Sequence, residues 1–136
     1  SGSVAEATYE SFAAAISRFA SLLDGLLGTV FEREEFARIV ERDLADGQHR
    51  NETGIAAFFT TAFFHEPGEL AAEVREAGLD LAGLFAVEGP GALLPDFRRR
   101  WDDAASRERL LDLVRRIERE PALLGVSPHL LAVGRR

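Results

Sequence analysis

Apolar side chains near the start of the chain recur every three or four residues. Between residues 10 and 27 they are Phe12, Ile16, Phe19, Leu23 and Leu26. This spacing predicts an amphipathic helix that ends near Gly25 or Gly28. A short buried strand over residues 12–16, followed by a helix from about Ser17, fits the same residues, because periodicity does not separate strand from helix in so short an apolar run.

Helical and extended patterns alternate through the middle of the chain. A stripe at Phe36, Ile39, Val40 and Leu44 predicts a helix over residues 31–45, closed by Asp46-Gly47. Residues 48–57 are polar and predict a loop. The aromatic run over residues 58–64 predicts a short extended segment.

The last part of the chain continues this alternation. A helix is predicted from Pro67 to Gly78, and a strand over residues 79–87 that ends at a glycine-proline-glycine turn. A further helix, capped by Ser106, ends before Pro121, and an apolar strand follows over residues 129–134. This order predicts a helix-rich α/β protein, with helical insertions around a few strands.

Composition excludes several kinds of site. The net charge is −7 and the run Arg98-Arg99-Arg100 is followed at once by two aspartates, so no basic surface for nucleic acid is expected. No apolar run approaches the roughly 20 residues that span a bilayer, and no membrane partner is predicted. The chain has no cysteine, and its three histidines do not fit a zinc spacing, so no metal site is predicted. The cytoplasm is the expected compartment.

Four segments carry more specific patterns: FAAAISRFASLLDG over residues 12–25, FTTAFFHEP over 59–67, VEGPG over 87–91 and EPALLGVSPHLLAVG over 120–134. Together, and in this order, they resemble the C-terminal part of a group of actinobacterial class I SAM-dependent methyltransferases. The resemblance covers nearly all of the chain from Phe12 onward.

The resemblance implies a fold. In that family the sheet has seven strands, and the last lies antiparallel between the fifth and the sixth. Residues 11–17, 79–87 and 129–134 would be the fifth, sixth and seventh strands of a partial Rossmann-like sheet. Helices at about 22–46 would form a lid over the substrate, and those at about 96–120 a second insertion. Residues 11–136 would then be the C-terminal methyltransferase region, preceded by a tag scar and an upstream segment over residues 1–10.

The cofactor loop of the family is missing from this chain. Such enzymes hold SAM with a glycine-rich loop after the first strand and an acidic residue after the second. The segment Glu88-Gly-Pro-Gly91 has the wrong spacing and is predicted to be a turn. We therefore expect SAM to bind the intact parent enzyme, and this chain alone to bind no cofactor and to be inactive. The chain also has no methionine, which predicts that the natural protein begins upstream.

The resemblance implies two kinds of partner, a small-molecule methyl acceptor and the missing N-terminal half. Without that half, an uncovered sheet edge predicts self-association. The alternative is a non-catalytic interaction or regulatory module derived from such an enzyme.

Three polar residues are candidates for binding the acceptor. Arg18, at the end of the possible fifth strand, would pair with an acidic substrate group or with a protein carboxylate such as Asp24. His49 and Asn51 lie in the predicted polar loop beside the lid, where they would orient the substrate or be solvated.

Two more candidates lie in the second of the four segments, over residues 59–67, and catalytic residues stay unassigned. Phe64 belongs to an aromatic cluster that forms either core or part of a ligand cage. His65 precedes the helix at Pro67 and would face the pocket or help to cap the helix. His129, at the start of the last strand, is predicted to be structural.

Overall fold

The computed structural model describes residues 9–136; the predicted tag scar and the upstream segment as far as residue 8 lie outside the described residues. The strands are β1 (Glu10–Ser17), β2 (Gln48–His49), β3 (Ala62–His65), β4 (Asp80–Ala86) and β5 (His129–Arg135). The α-helices are α1 (Ala20–Leu27), α2 (Glu34–Asp46), α3 (Pro67–Glu76), α4 (Phe97–Asp102) and α5 (Ala104–Ile117). Short 3₁₀ helices lie at Val30–Glu32, Ala56–Phe58, Gly89–Leu93 and Pro121–Val126.

The strands form one mixed sheet in the order β2-β3-β1-β5-β4. β3 runs parallel to β1, whereas β5 runs antiparallel to both of its neighbours, β1 and β4. The last strand of the chain thus lies between two strands that run the opposite way, which is the placement that the resemblance implied. The predicted class, α/β with helical insertions, is confirmed at this coarse level.

Residues 12–16 are a strand, so the strand interpretation of the first apolar run is the correct one. β1 pairs with β5 along its length, from Glu10 opposite Arg135 to Ile16 opposite His129. Its alanines would favour a helix in isolation. Pairing with an apolar neighbouring strand outweighs that preference, because each residue gains sheet hydrogen bonds and cross-strand contacts.

Helix α3 covers one face of the sheet and forms the main core. Leu70 and Val74 of α3 pack with Leu130 and Ala132 of β5, both of which are completely buried. Pro67 occupies the first turn of α3, and Glu66 and Glu69 form a reciprocal capping box there. The helix predicted from Pro67 to Gly78 is therefore confirmed in type and position.

The first insertion, α1 and α2, builds a second small core. Phe36, Ile39 and Val40 of α2 pack with Phe58 of the 3₁₀ turn at residues 56–58. Gly25 allows α1 to approach α2 closely, because a β-carbon there would overlap the Phe36 ring. The helix predicted from residue 31 begins at Glu34 instead, after a 3₁₀ turn, and it ends as predicted at Gly47 in the left-handed conformation.

Three local predictions are wrong in detail. Gln48–His49 is a short strand within the predicted loop, and Phe58 and Phe59 lie outside β3 because the chain turns there, with φ of 67° at Phe59. The cap of α5 is Asp103, whose carboxylate accepts the backbone N–H of Ser106 at 2.8 Å, and not Ser106 itself.

Within residues 9–136, the helices are too short or too polar to cross a bilayer.

Candidate functional site

Two neighbouring cavities open at one edge of the sheet, where β1, β3 and β4 end and β5 begins. The first, the α1 cavity, has a volume of about 460 Å³ and lies between α1 and the ends of β1 and β3. The second, the α5 cavity, has a volume of about 530 Å³ and lies between α5 and the segment after β4. Ala92, Pro128 and His129 line both cavities. Open α/β sheets bind their ligands at the carboxyl ends of parallel strands, so this edge is the candidate site.

The two cavities differ in their linings. The α1 cavity has a mixed lining that includes Ser21, Asp24, Phe59 and Phe64. The α5 cavity is apolar apart from one end, where Glu88 and His129 are the ionisable residues of its lining. Its apolar side chains are those of Val87, Phe97, Trp101, Leu110, Leu111 and Val114. A mostly apolar cavity with a few convergent polar groups is typical of small-molecule sites.

Glu88 and His129 form a paired group on the shared wall. Nδ1 of His129 lies 2.6 Å from Oε1 of Glu88. Because an ionised carboxylate only accepts hydrogen bonds, Nδ1 is the donor, and in the neutral imidazole the outer nitrogen, Nε2, carries the lone pair. Nε2 has no hydrogen-bond partner among the described residues, and the His129 side chain is 52% exposed. The pair therefore presents one oriented acceptor to the cleft.

Ser127 fixes the position of this pair. Its side chain is completely buried, and its hydroxyl oxygen accepts the backbone N–H groups of Glu88 and Gly89 at 3.2 and 3.0 Å. The hydroxyl proton faces Oε2 of Glu88 and the carbonyl of His129, at 3.1 and 2.8 Å. Ser127 thus joins the turn after β4 to the start of β5, which brings Glu88 to His129.

The surroundings of Glu88 favour its ionised form. Partial burial is the largest single influence and acts to raise the pKa of the Glu88 carboxyl, but it is outweighed. Hydrogen bonds from the His129 ring, the Glu88 backbone and Ser127, together with the positive charge that the His129 ring carries when it is protonated, give a net lowering of the pKa. Glu88 is thus held as a carboxylate that orients the imidazole.

Arg18 is buried and makes its hydrogen bonds within the protein, so it is not available to a ligand in the cleft. Its side chain is 4% exposed, and its Nε donates to the carbonyl of Phe64 at 2.9 Å. One terminal nitrogen donates to both carboxylate oxygens of Glu69 at 2.7 and 2.8 Å, and the other lies 3.7 Å from Glu66. The protein carboxylate that was the alternative partner is therefore present, although it is Glu69 and not Asp24. Arg18 ties β1 to β3 and to the first turn of α3.

His49 is buried behind the wall of the α1 cavity. Its side chain is 1% exposed; Nδ1 lies 2.9 Å from Asp43 and Nε2 2.9 Å from the carbonyl of Phe58. The ring also stacks on Phe64, with centroids 4.6 Å apart. The interpretation of His49 as a solvated loop residue is wrong. Both nitrogens are used within the protein, so His49 supports the wall instead of facing the cleft.

Asn51 organises the loop that follows. Its amide nitrogen donates to the carbonyls of Ile55 and Phe59 at 2.7 and 2.8 Å, and its oxygen accepts from the backbone and hydroxyl of Thr53. These bonds hold Phe59, whose side chain is 53% exposed and lines the α1 cavity. Asn51 therefore acts on the cavity through Phe59.

Phe64 and His65 lie on opposite sides of β3, as neighbouring strand residues do. Phe64, one of the site residues predicted from the sequence, is 3% exposed and lines the α1 cavity. His65 lies outside both linings; its Nε2 is 3.2 Å from Glu73, and its ring packs edge-on to Phe63. The structure therefore brings Phe64, but not His65, to the cleft.

Sequence reasoning missed the Glu88–His129 pair. His129 was assigned a structural role, and Glu88 was considered only as part of a turn. A signal was present, because a strand over residues 79–87 that pairs antiparallel with one over 129–134 brings the end of the first to the start of the second. The two residues that flank this junction, Glu88 and His129, are therefore neighbours across 41 residues of sequence.

The glycine turn after β4 does not fit a SAM-binding loop. A SAM loop needs backbone that is open to the cofactor. The glycine turn after β4 is covered instead: a β-carbon on Gly91 would lie 3.1 Å from the Val114 side chain, and Gly89 also faces Val114. The described residues offer no group of three metal-ligating side chains.

No family model matches the chain, and no curated protein matches it either. The resemblance to methyltransferases therefore stays a prediction. What the chain does has to be argued from the two cavities and from the sheet that positions them.

Proposed function

We propose that residues 11–136 form the acceptor-binding C-terminal region of a class I SAM-dependent methyltransferase that acts on a small molecule in the cytoplasm. SAM would be held by residues outside this chain, which alone would be inactive. The role of this region is to position the acceptor and to exclude water, since methyl transfer depends chiefly on the alignment of donor and acceptor.

The observation that carries the proposal is the position of the cleft. The two cavities lie at the carboxyl ends of β1, β3 and β4, on a sheet whose last strand is antiparallel between β1 and β4. The antiparallel last strand and the cleft at this edge support the proposal, because the resemblance implies both for a class I enzyme.

The helical insertions support the same role. α1 lines one cavity, and α4 and α5 line the other, so both cavities are walled by chain inserted between strands. Insertions over the carboxyl edge are placed to cover a bound acceptor, whereas α3, which is not an insertion of this kind, packs on the face of the sheet.

The unpaired edge of β1 supports the proposal that the sheet of the intact enzyme has further strands. β3 pairs with β1 only at Ile16 and Ser17, so β1 has no partner on that side from Glu10 to Ala15 among the described residues. Phe12, on the face of β1 away from α3, is 66% exposed. A further strand with its helices, from the N-terminal half, would pair with this edge and bury this face.

The proposal is tested by calorimetry with SAM on residues 1–136 and on a version extended by its natural upstream coding sequence. We expect no binding by the shorter chain up to about 1 mM SAM, and micromolar binding by the extended one. Micromolar binding by residues 1–136 alone would show that the cofactor site lies within them. Absence of binding by the extended protein would exclude a methyltransferase.

A second candidate, a non-catalytic interaction module, is favoured by the same exposed face. Such a module would use the edge of β1 and Phe12 to associate with another protein or with itself. We expect residues 1–136 to self-associate in sedimentation velocity, and Phe12→Ser to shift the protein towards monomer. Leu113→Ser is the matched control, because Leu113 is 62% exposed but lies on α5. If both variants behave like the wild type, this face is not the contact.

A further inference from the structure

We propose that the α5 cavity binds a flat, uncharged aromatic molecule that donates one hydrogen bond to Nε2 of His129, as a phenolic hydroxyl does. The inference names the class of acceptor for the function proposed above, and rests on that function only in calling the ligand an acceptor. The binding itself depends on the cavity alone.

The walls of the cavity favour an aromatic ligand. Phe97 and Trp101 stack on each other with ring centroids 5.5 Å apart and planes 21° apart. They remain 43% and 38% exposed, although large aromatic side chains gain most when they are covered. Leu110 and Val114 of α5 also line the cavity. A flat ring placed between these groups would bury apolar surface on both of its faces.

The polar end of the cavity selects a hydrogen-bond donor. Glu88 already accepts from the His129 ring, the His129 backbone and Ser127. The group left to meet a ligand is therefore Nε2 of His129, which in the neutral imidazole accepts a hydrogen bond because the ring proton lies on Nδ1, facing Glu88. A ligand hydroxyl or aromatic N–H satisfies this nitrogen.

The charge around the cavity disfavours an anion. The lining includes the Glu88 carboxylate and no arginine. An anionic ligand would meet this negative charge in a mostly apolar lining, which is costly. Arg107 is outside the lining; its guanidinium lies 5.9 Å from the Trp101 ring centroid and donates to the Trp101 carbonyl. The volume of about 530 Å³ lies within the range of about 300–1,000 Å³ for small-molecule sites, and it accommodates a bicyclic aromatic ring.

The chain carries its own reporter for this site. Trp101 is the one tryptophan of the sequence, so its indole N–H gives a single, unambiguous resonance in a ¹H–¹⁵N NMR spectrum. We would titrate the protein with 2-naphthol and, separately, with 2-methoxynaphthalene, which has the same rings but no donor. Both probes are expected to shift the Trp101 resonance. The Kd of 2-naphthol should be about fivefold to tenfold lower, the effect of one neutral hydrogen bond.

Variants separate the hydrogen bond from the apolar walls. His129→Leu should remove the preference for 2-naphthol and leave the Kd of 2-methoxynaphthalene nearly unchanged. Phe97→Ala should weaken both probes alike. His65→Leu is the matched control, because His65 lies outside the cavity lining, and both Kd values should stay as in the wild type.

Any of three results would overturn the inference. The first is that neither probe moves the Trp101 resonance up to about 1 mM. The second is that the wild type binds both probes equally, and the third is that the preference survives His129→Leu. None of them affects the calorimetry with SAM, so the proposed function would stand. Conversely, failure of that calorimetry leaves the preference for 2-naphthol intact.

Discussion

Two of the three histidine–carboxylate pairs among the described residues have similar chemistry but lie in opposite surroundings. His49 and Asp43 are each 1% exposed, and both nitrogens of His49 face protein acceptors. His129 and Glu88 are 52% and 36% exposed, and His129 lines both cavities. The first pair is internal structure, and the second is available to a ligand.

The difference shows that burial, and not residue type, decides what a histidine does here. His49 lies in a polar stretch and looked like the accessible residue, but the turn at Phe58 and the stacked Phe64 ring enclose it. His129 begins an apolar strand, but it stands at the edge where β4 ends and helical insertions replace close packing. A polar neighbourhood in sequence is therefore a poor guide to exposure.

The largest expected effect comes from breaking the buried pair. Asp43→Ala leaves the buried Nδ1 of His49 without its partner, and we expect a loss of about 3 kcal/mol in the free energy of unfolding. Urea denaturation followed by circular dichroism measures it. Glu41→Ala, at an exposed position of the same helix, is the control and should change the value by less than about 0.5 kcal/mol. Equal effects of the two variants would mean that the pair is not buried.

The second-largest effect is expected from Ser127, whose hydroxyl holds Glu88 beside His129. Ser127→Ala leaves the N–H groups of Glu88 and Gly89 without an acceptor, and should lower the free energy of unfolding by about 2 kcal/mol. It should also broaden or shift the His129 ring resonances, because Glu88 loses a fixed position. Ser11→Ala, at an exposed site of β1, is the control. An unchanged stability would show that water replaces the hydroxyl.

Breaking the exposed pair itself should cost least. His129→Leu removes a hydrogen bond between two half-exposed side chains, so the free energy of unfolding should fall by less than about 1 kcal/mol. The same urea titration compares it directly with Asp43→Ala. A loss as large as that of the buried pair would contradict the division of roles.

The pH dependence of the exposed pair gives a further test. Because the folded pKa of Glu88 is lowered from its ordinary value of 4.5, its ionisation stabilises the folded protein above that pH. The contribution is lost as the pH falls through the folded pKa. Wild type should therefore be more stable than Glu88→Gln at about pH 7, and the difference should shrink towards about pH 3. A difference that is constant over this range would show that ionisation of Glu88 plays no part.

Much of the fold could be predicted from sequence because long periodic segments decide it. The helix from Pro67 and the strands near residues 80–86 and 129–135 follow from their apolar stripes and turn residues. The alanine-rich β1 could not be settled, since its conformation is set by pairing with β5, which is distant in sequence. The break at Phe59 was also hidden, because a left-handed φ at a phenylalanine is imposed by its surroundings and not by its own preference.

The site was less predictable than the fold. Phe64 was found because its aromatic cluster marks a strand end at the correct edge of the sheet. Arg18 and Asn51 lie near that edge, but their side chains already form hydrogen bonds with Phe64, Glu69 and the loop over residues 51–59. These partners are distant in sequence or depend on the loop conformation, so they could not be predicted.

The most direct test of this division is chemical modification of the three histidines with diethyl pyrocarbonate, quantified for each peptide by mass spectrometry. We expect His129 to react fastest, because its side chain is 52% exposed and its Nε2 has no partner among the described residues, and His49, which is 1% exposed, to react slowest. Saturating 2-naphthol should protect His129 and leave the rate at His65 unchanged. Modification of His49 as fast as that of His129, in the folded protein, would contradict the account.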